Sequence, residues 1–317
     1  MSRSEMLEWI DAGRVAPEHQ PQALRVAGMI PAPAAWRVFL GQLALWLGTI
    51  ALATAVIFFF AFNWDDLDRM AKFALVEAAI VAALVALWWV DLNGLAGKAV
   101  LLLLCLLTGA LLALTGQVYQ TGADTFELFA WWALLILPWV AIGRFSPLWL
   151  FWLGLLNLAV LLHVRISRDE VILMWSLFGL NTGALVLWEA ARRAGISWLQ
   201  DSWAPRLVAI ASGFMATMLM VWAITGGFSD GRVGGAAMLA YVGWAGALYY
   251  WYRRVRLDPF MLAGGLLSLI VVVVALLGDA LLANAEAGGF LLIGLVVIGM
   301  SAGGAIWLKR IVKEQRP

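Results

Sequence analysis

Residues 98–119 read KAVLLLLCLLTGALLALTGQVY, one lysine followed by a run without a single charge. A bilayer's hydrocarbon core is about 30 Å thick and takes roughly 20 apolar residues of helix to cross. This stretch therefore reads as a membrane span. Working outward from it, apolar runs between polar breaks fall at 39–62, 70–90, 126–142, 146–163, 171–190, 206–225, 234–251, 260–279 and 289–308. With 98–119 that makes about ten transmembrane helices. The fourth run is short and close to the fifth, so a partly re-entrant pair is the alternative there. The expected fold class is an all-α polytopic membrane helix bundle, preceded by a short cytoplasmic helical hairpin.

Composition agrees. The 317 residues are 64% hydrophobic and 13% charged, with a mean hydropathy of +0.90. A soluble domain is about half apolar and a quarter charged, so a soluble enzyme, a disordered tail and a disulfide-rich secreted module are excluded. Lys and Arg number 21 against 20 Asp and Glu, which leaves no basic excess to hold nucleic acid. Cys105 is the one cysteine, so no intrachain disulfide or thiolate metal site can form.

An even number of spans places both termini on one side, and the Lys/Arg distribution says which. With the N-terminus inside, the inner segments hold 16 of the 21 basic residues and the outer ones 5. Among the inner ones are Arg192, Arg193, Arg206, Arg253, Arg254 and Arg256; the outer ones are Arg69, Lys72, Arg165, Arg168 and Arg232. Both ends are thus expected in the cytoplasm. Many of the 19 Trp sit near span ends, as an interfacial aromatic belt requires.

Three regions follow: residues 1–38, a helical hairpin and proline linker; 39–145, four spans; and 146–317, six spans and a short cytoplasmic tail. The first lacks the basic start and apolar core of a signal peptide. Ser4 followed by Leu7, Trp9 and Ile10 reads as a capped amphipathic helix. Gly13 breaks it, Pro17 and Glu18 open a second helix to about Val26, and Pro31 and Pro33 stiffen the link to the first span. Residues 1–30 read as a small helical hairpin lying at the inner surface; the alternative is a contact for a cytoplasmic protein partner. No internal repeat stands out, although two inverted five-helix halves fit the parity.

Polar groups in hydrocarbon are functional candidates because they are costly there. The richest set lies at the outer ends of the first four spans: Asn63, Lys72, Glu77, Gln117, Gln120, Asp124 and Glu127. Gly109, Ala113, Gly116, Gln117 and Gln120 share one helical face, and Glu77 lies on a stripe with Ala71, Ala74, Ala78 and Ala82. Small residues let helices approach closely. Glu77, Gln117 and Gln120 are therefore expected to face protein and share a polar pocket toward the outer surface. The alternative is that Glu77 is packing glue, paired with Lys72, Arg69 or a glutamine.

These segments carry a resemblance. Ala61-Phe62-Asn63-Trp64 and Lys72, then Gly116-Gln117-Val118-Tyr119-Gln120 with Asp124, Leu128, Phe129, Trp131 and Pro138, resemble the bacterial membrane-protein family catalogued as domain of unknown function 2157. Leu7-Glu8-Trp9-Ile10-Asp11-Ala12-Gly13 fits it too. The resemblance covers roughly residues 5–145 and implies a bacterial inner-membrane protein. It carries no activity, and leaves the last six spans unexplained.

Elsewhere, Asn157 and Asn181 lie at depths that let their amides pair as helix glue, and Gly299 with Gly303 forms a close-packing motif. His19 and His163 fall on opposite sides of the membrane and cannot share a metal. No zinc-protease, nucleophile-elbow or phosphate-loop motif occurs, so neither a catalytic residue nor a cofactor is expected. Three functional classes remain open: a transporter, channel or lipid-handling protein with an outward-facing polar pocket; a non-transporting scaffold or assembly factor for an envelope complex; and, third, an intramembrane enzyme.

Overall fold

The computed structural model describes residues 3–30, 33–62, 67–119, 122, 124–167, 169–228, 231–281 and 287–314. They are helical, without strands among the described residues. Two compact units form, Met1–Gln120 and Thr121–Pro317.

In the first unit, α1 (Arg3–Asp11) and α2 (Gln20–Val26) both stop at left-handed glycines. Gly13 and Gly28 have φ of 67° and 68°. The amides of Gly13 and Arg14 bond back to the carbonyls of Ile10 and Trp9, and those of Gly28 and Met29 to Arg25 and Leu24. This pattern satisfies the orphan carbonyls at a helix end. The second helix starts at Gln20 rather than at Pro17, because residues 17–19 form a turn closed by the His19 amide on the Ala16 carbonyl.

α3 (Pro33–Phe62), α4 (Arg69–Trp89) and α5 (Leu95–Tyr119) follow. α3 begins six residues before the expected span, since Pro33 suits a first helical turn and nothing after it breaks the helix. Asp68 caps α4, its Oδ1 accepting from the Ala71 amide at 2.6 Å. α5 packs against both α3 and α4. Val76 meets Leu114, Ala83 meets Leu104 and Leu107, and Val56 of α3 reaches both groups.

The second unit holds α6 (Thr125–Gly143), α7 (Ser146–Ser167), α8 (Glu170–Arg193), α9 (Trp203–Ile224), α10 (Gly231–Tyr250), α11 (Pro259–Leu281) and α12 (Ala287–Lys313). The fourth and fifth spans are separate helices of 19 and 22 residues, each long and apolar enough to cross a membrane. They join through Arg144, which takes a left-handed conformation (φ 42°). Pro138 removes one helical donor inside α6, and the indole N–H of Trp152 on α7 donates to the Ala133 carbonyl at 2.9 Å. α9 is central, packing on α8, α10 and α11, while α12 lies on α11.

All ten expected spans are helices. Nine of them, among the described residues, are long and apolar enough to cross a membrane. The exception is α10, whose five glycines, three tyrosines and one arginine dilute its hydropathy. Large apolar side chains point outward, Leu187, Leu239 and Leu291 being 72%, 75% and 69% exposed. In a bilayer this surface meets lipid and costs nothing.

Inside the second unit the helices are joined by polar side chains. Asn181 Nδ2 donates to Asn157 Oδ1 at 2.6 Å and Asn157 Nδ2 returns a bond at 3.2 Å, so these two amides pair as their depths implied. The hydroxyls of Thr182 and Ser212 are 2.7 Å apart, and Trp244 Nε1 donates to Ser212 at 3.0 Å. Thr217, Ser268 and Tyr241 form a second chain. Such bonds stabilise by about 1 kcal/mol each in membranes. Asn181→Leu removes both amide bonds and should therefore lower stability by about 1–2 kcal/mol, and adding Asn157→Leu should recover most of it. Thermal unfolding of the detergent-solubilised protein measures both.

Candidate functional site

The residues expected to form a polar pocket divide between the two units. In the first unit Lys72 is buried, one turn before Val76 on the face that meets α5. Glu77, about 100° further round α4, is exposed, as are Ala74, Ala78 and Ala82 of its stripe; Gln117 on α5 is exposed too. Near them Arg69 stacks 5.3 Å over the Tyr119 ring, which also meets Phe73. In the second unit Asp124 precedes α6, its carbonyl accepting from the Glu127 amide. Asn63 and Gln120 lie outside the described residues.

A denser set of charges collects elsewhere, at the end of the second unit where α8 and α10 finish and α9 and α11 begin. Glu189 and Arg192 are both buried and form an ion pair at 2.7 Å. The Tyr252 hydroxyl donates to the same carboxylate oxygen at 3.1 Å, and Trp251 Nε1 makes a long contact of 3.4 Å to the other. Trp251 and Tyr252 open a π-helical turn, Trp251–Val255, a widened turn frequent at functional sites. Burial, with Glu189 beside it, pushes the Tyr252 phenol above its ordinary range, so it stands as a neutral donor. Arg192 also donates to the Gln200 carbonyl, while the Gln200 amide caps the carbonyls of Arg192 and Ile196.

This cluster closes one end of a cavity of about 480 Å³. One wall is the α8 stripe Thr182, Leu185, Val186, Glu189, Ala190 and Arg193; the other is Trp244, Ala247, Leu248, Trp251 and Tyr252. Both follow i, i+3, i+4, i+7 spacing, so each is one helical face. At the rim Arg193 is exposed and stacks over the Trp251 ring at 5.7 Å.

A second cavity of about 310 Å³ runs between α9 and α11, from Arg206 and Phe260 to Thr217 and Val271. Arg206 lies 5.1 Å over Phe260 and is held by both oxygens of Asp258, each at 3.0 Å. Asp258 also accepts from the Phe260 amide, which fixes the start of α11. Trp244 and Leu248 line both cavities, and the Trp244 ring lies so close to Gly213 that a Cβ there would be 3.0 Å from it.

Glu189 and Tyr252 are not among the residues singled out from the sequence, and Trp251 reads there as one of the belt tryptophans. Glu189 sits at the end of its span, where a charge normally anchors a helix in water. The available signal was the pairing of Trp188-Glu189-Ala190-Ala191-Arg192-Arg193 with Trp251-Tyr252-Arg253-Arg254 at span ends assigned to the same side.

No curated protein and no solved structure matches the chain. A family match covers α1 to α6 and the start of α7, and stops before both cavities. Residues 7–149 match the model described as predicted membrane protein (DUF2157), so this part of the chain is similar to that family.

Proposed function

We propose that the protein is a lipid-handling protein of the bacterial inner membrane, with both termini cytoplasmic, and that its second unit binds amphiphiles in lateral grooves between helices. Among transport, conduction, lipid handling and scaffolding, the shape of the α8/α10 cavity favours lipid handling. From Thr182 to Arg193 it follows eleven residues of helix, about 16 Å at 1.5 Å per residue. One leaflet of a core about 30 Å thick has nearly that depth. An apolar slot of this length with an arginine and an indole at its basic end suits one acyl chain and the headgroup above it. The α9/α11 cavity repeats the arrangement over the same number of residues, from Arg206 to Thr217.

Filling the slot tests this reading. Ala190 and Ala247 line it from opposite walls and are exposed, so a larger side chain at either disturbs no core contact. Ala190→Trp and Ala247→Trp should each lower the number of phospholipids retained by the purified protein in native mass spectrometry by about one, with the melting temperature in detergent unchanged. Unaltered lipid retention in both variants would remove the α8/α10 groove as a lipid site.

A further inference from the structure

We infer that the α8/α10 groove selects a phospholipid with an anionic, phosphate-bearing headgroup, and that Arg193 is the residue that selects it. The inference rests on the lipid-handling reading and names the class of lipid at that site.

The charge balance carries it. Glu189, the carboxylate lining the groove, is taken up by Arg192 at 2.7 Å and by Tyr252 at 3.1 Å. It neither attracts a cationic headgroup nor neutralises a second arginine. Arg193 has no carboxylate partner among the described residues, and its recorded contact is the Trp251 ring beneath it. The guanidinium covers the indole face that a choline or ammonium group would need, while its edge stays free for a phosphate. Nearby, Arg253 is paired with Glu314 at 3.0 Å; Arg254 and Arg256 meet no carboxylate among the described residues, so the surplus at this end is positive. The second groove is a built-in contrast. Its Arg206 is already bound by both oxygens of Asp258, so it holds no unpaired charge to discriminate between headgroups.

The experiment is native mass spectrometry of the full-length protein in detergent with equal amounts of dioleoyl phosphatidylglycerol and dioleoyl phosphatidylcholine. The wild type should retain the anionic lipid about fivefold over the zwitterionic one, the factor expected of one arginine at a membrane surface. Arg193→Gln should bring the ratio close to one while the total number of bound lipids stays the same, and Arg193→Lys should keep part of the preference. Arg254→Gln, which alters a residue outside the groove lining, should leave the ratio unchanged. If Arg254→Gln lowers it as much as Arg193→Gln does, the preference belongs to a diffuse basic surface and the assignment falls. Loss of the preference in millimolar inorganic phosphate would mark a free-anion site and overturn it too. Lipid retention without any preference sinks this inference and leaves the lipid-handling reading standing. Retention of neither lipid sinks both.

Discussion

Glu189→Ala is expected to lower the stability of the second unit by about 3–5 kcal/mol, the cost of leaving a buried charge without its partner. Arg192 is buried, and one of its two side-chain bonds goes to Glu189. Its Nε already lacks a partner. Without the carboxylate the guanidinium keeps only the Gln200 carbonyl, and the hydroxyl of Tyr252 loses its acceptor. Three elements are held at this point, namely α8, the π turn after α10 and the loop around Gln200. Glu189→Gln should cost less, because an amide oxygen still accepts one bond. A paired Glu189→Leu and Arg192→Leu change should recover most of the loss, since apolar replacement of a whole buried pair is often near neutral. Unfolding must be followed at fixed lipid and detergent concentration, because bound lipid raises apparent stability. A loss below about 1 kcal/mol in Glu189→Ala would mean that Arg192 reaches water and that the cluster is not buried in the membrane-embedded protein.

The spans were legible in the amino-acid sequence because crossing a bilayer sets a length that few other structures need. Runs such as 98–119 left little choice, and even α10, diluted by glycine and tyrosine, formed a helix where its flanking breaks placed it. The Asn157–Asn181 pair was legible for the same reason: depth along a span is a count of residues. The faces were harder. On α4 the small-residue stripe suggested a contact, yet the face meeting α5 is built on Val76 and Ala83, with Lys72 at its end. Ala83 itself packs on Leu104 and Leu107 at that contact, so smallness alone does not tell one alanine face of α4 from another. The Glu189 cluster was hidden by a different ambiguity. A charge at a span end serves equally as a solvated anchor or as half of a buried pair, and only the approach of Tyr252, 63 residues away, decides between them.

In the first unit, Gly97→Ala is expected to cost about 1–3 kcal/mol, the usual range for overpacking, and Gly97→Val more. Gly97 lies in the first turn of α5, directly over the turn that links it to α4. A Cβ there would overlap the Asp91 carbonyl oxygen and stand 2.8 Å from Leu92 Cα and 3.0 Å from the Asp91 carbonyl carbon. All three atoms are backbone, so no rotamer change relieves the clash and the turn itself must move. That turn is pinned by the Gly94 amide on the Asp91 carbonyl and the Asn93 amide on the Asp91 carboxylate. Displacing it shifts α4 against α5 where Ala83 packs on Leu104 and Leu107. Cys105 gives a local readout, being the one cysteine of the chain and fully buried on α5. Its reaction with a membrane-permeant maleimide should speed up in Gly97→Ala. Gly116→Ala is the control, since a Cβ there meets nothing within 4 Å; it should leave Cys105 protected and stability equal or slightly higher, as expected when alanine replaces a helical glycine. If Gly97→Ala matches the wild type in both unfolding and labelling, the 91–94 turn yields freely and does not set the register of α4 on α5.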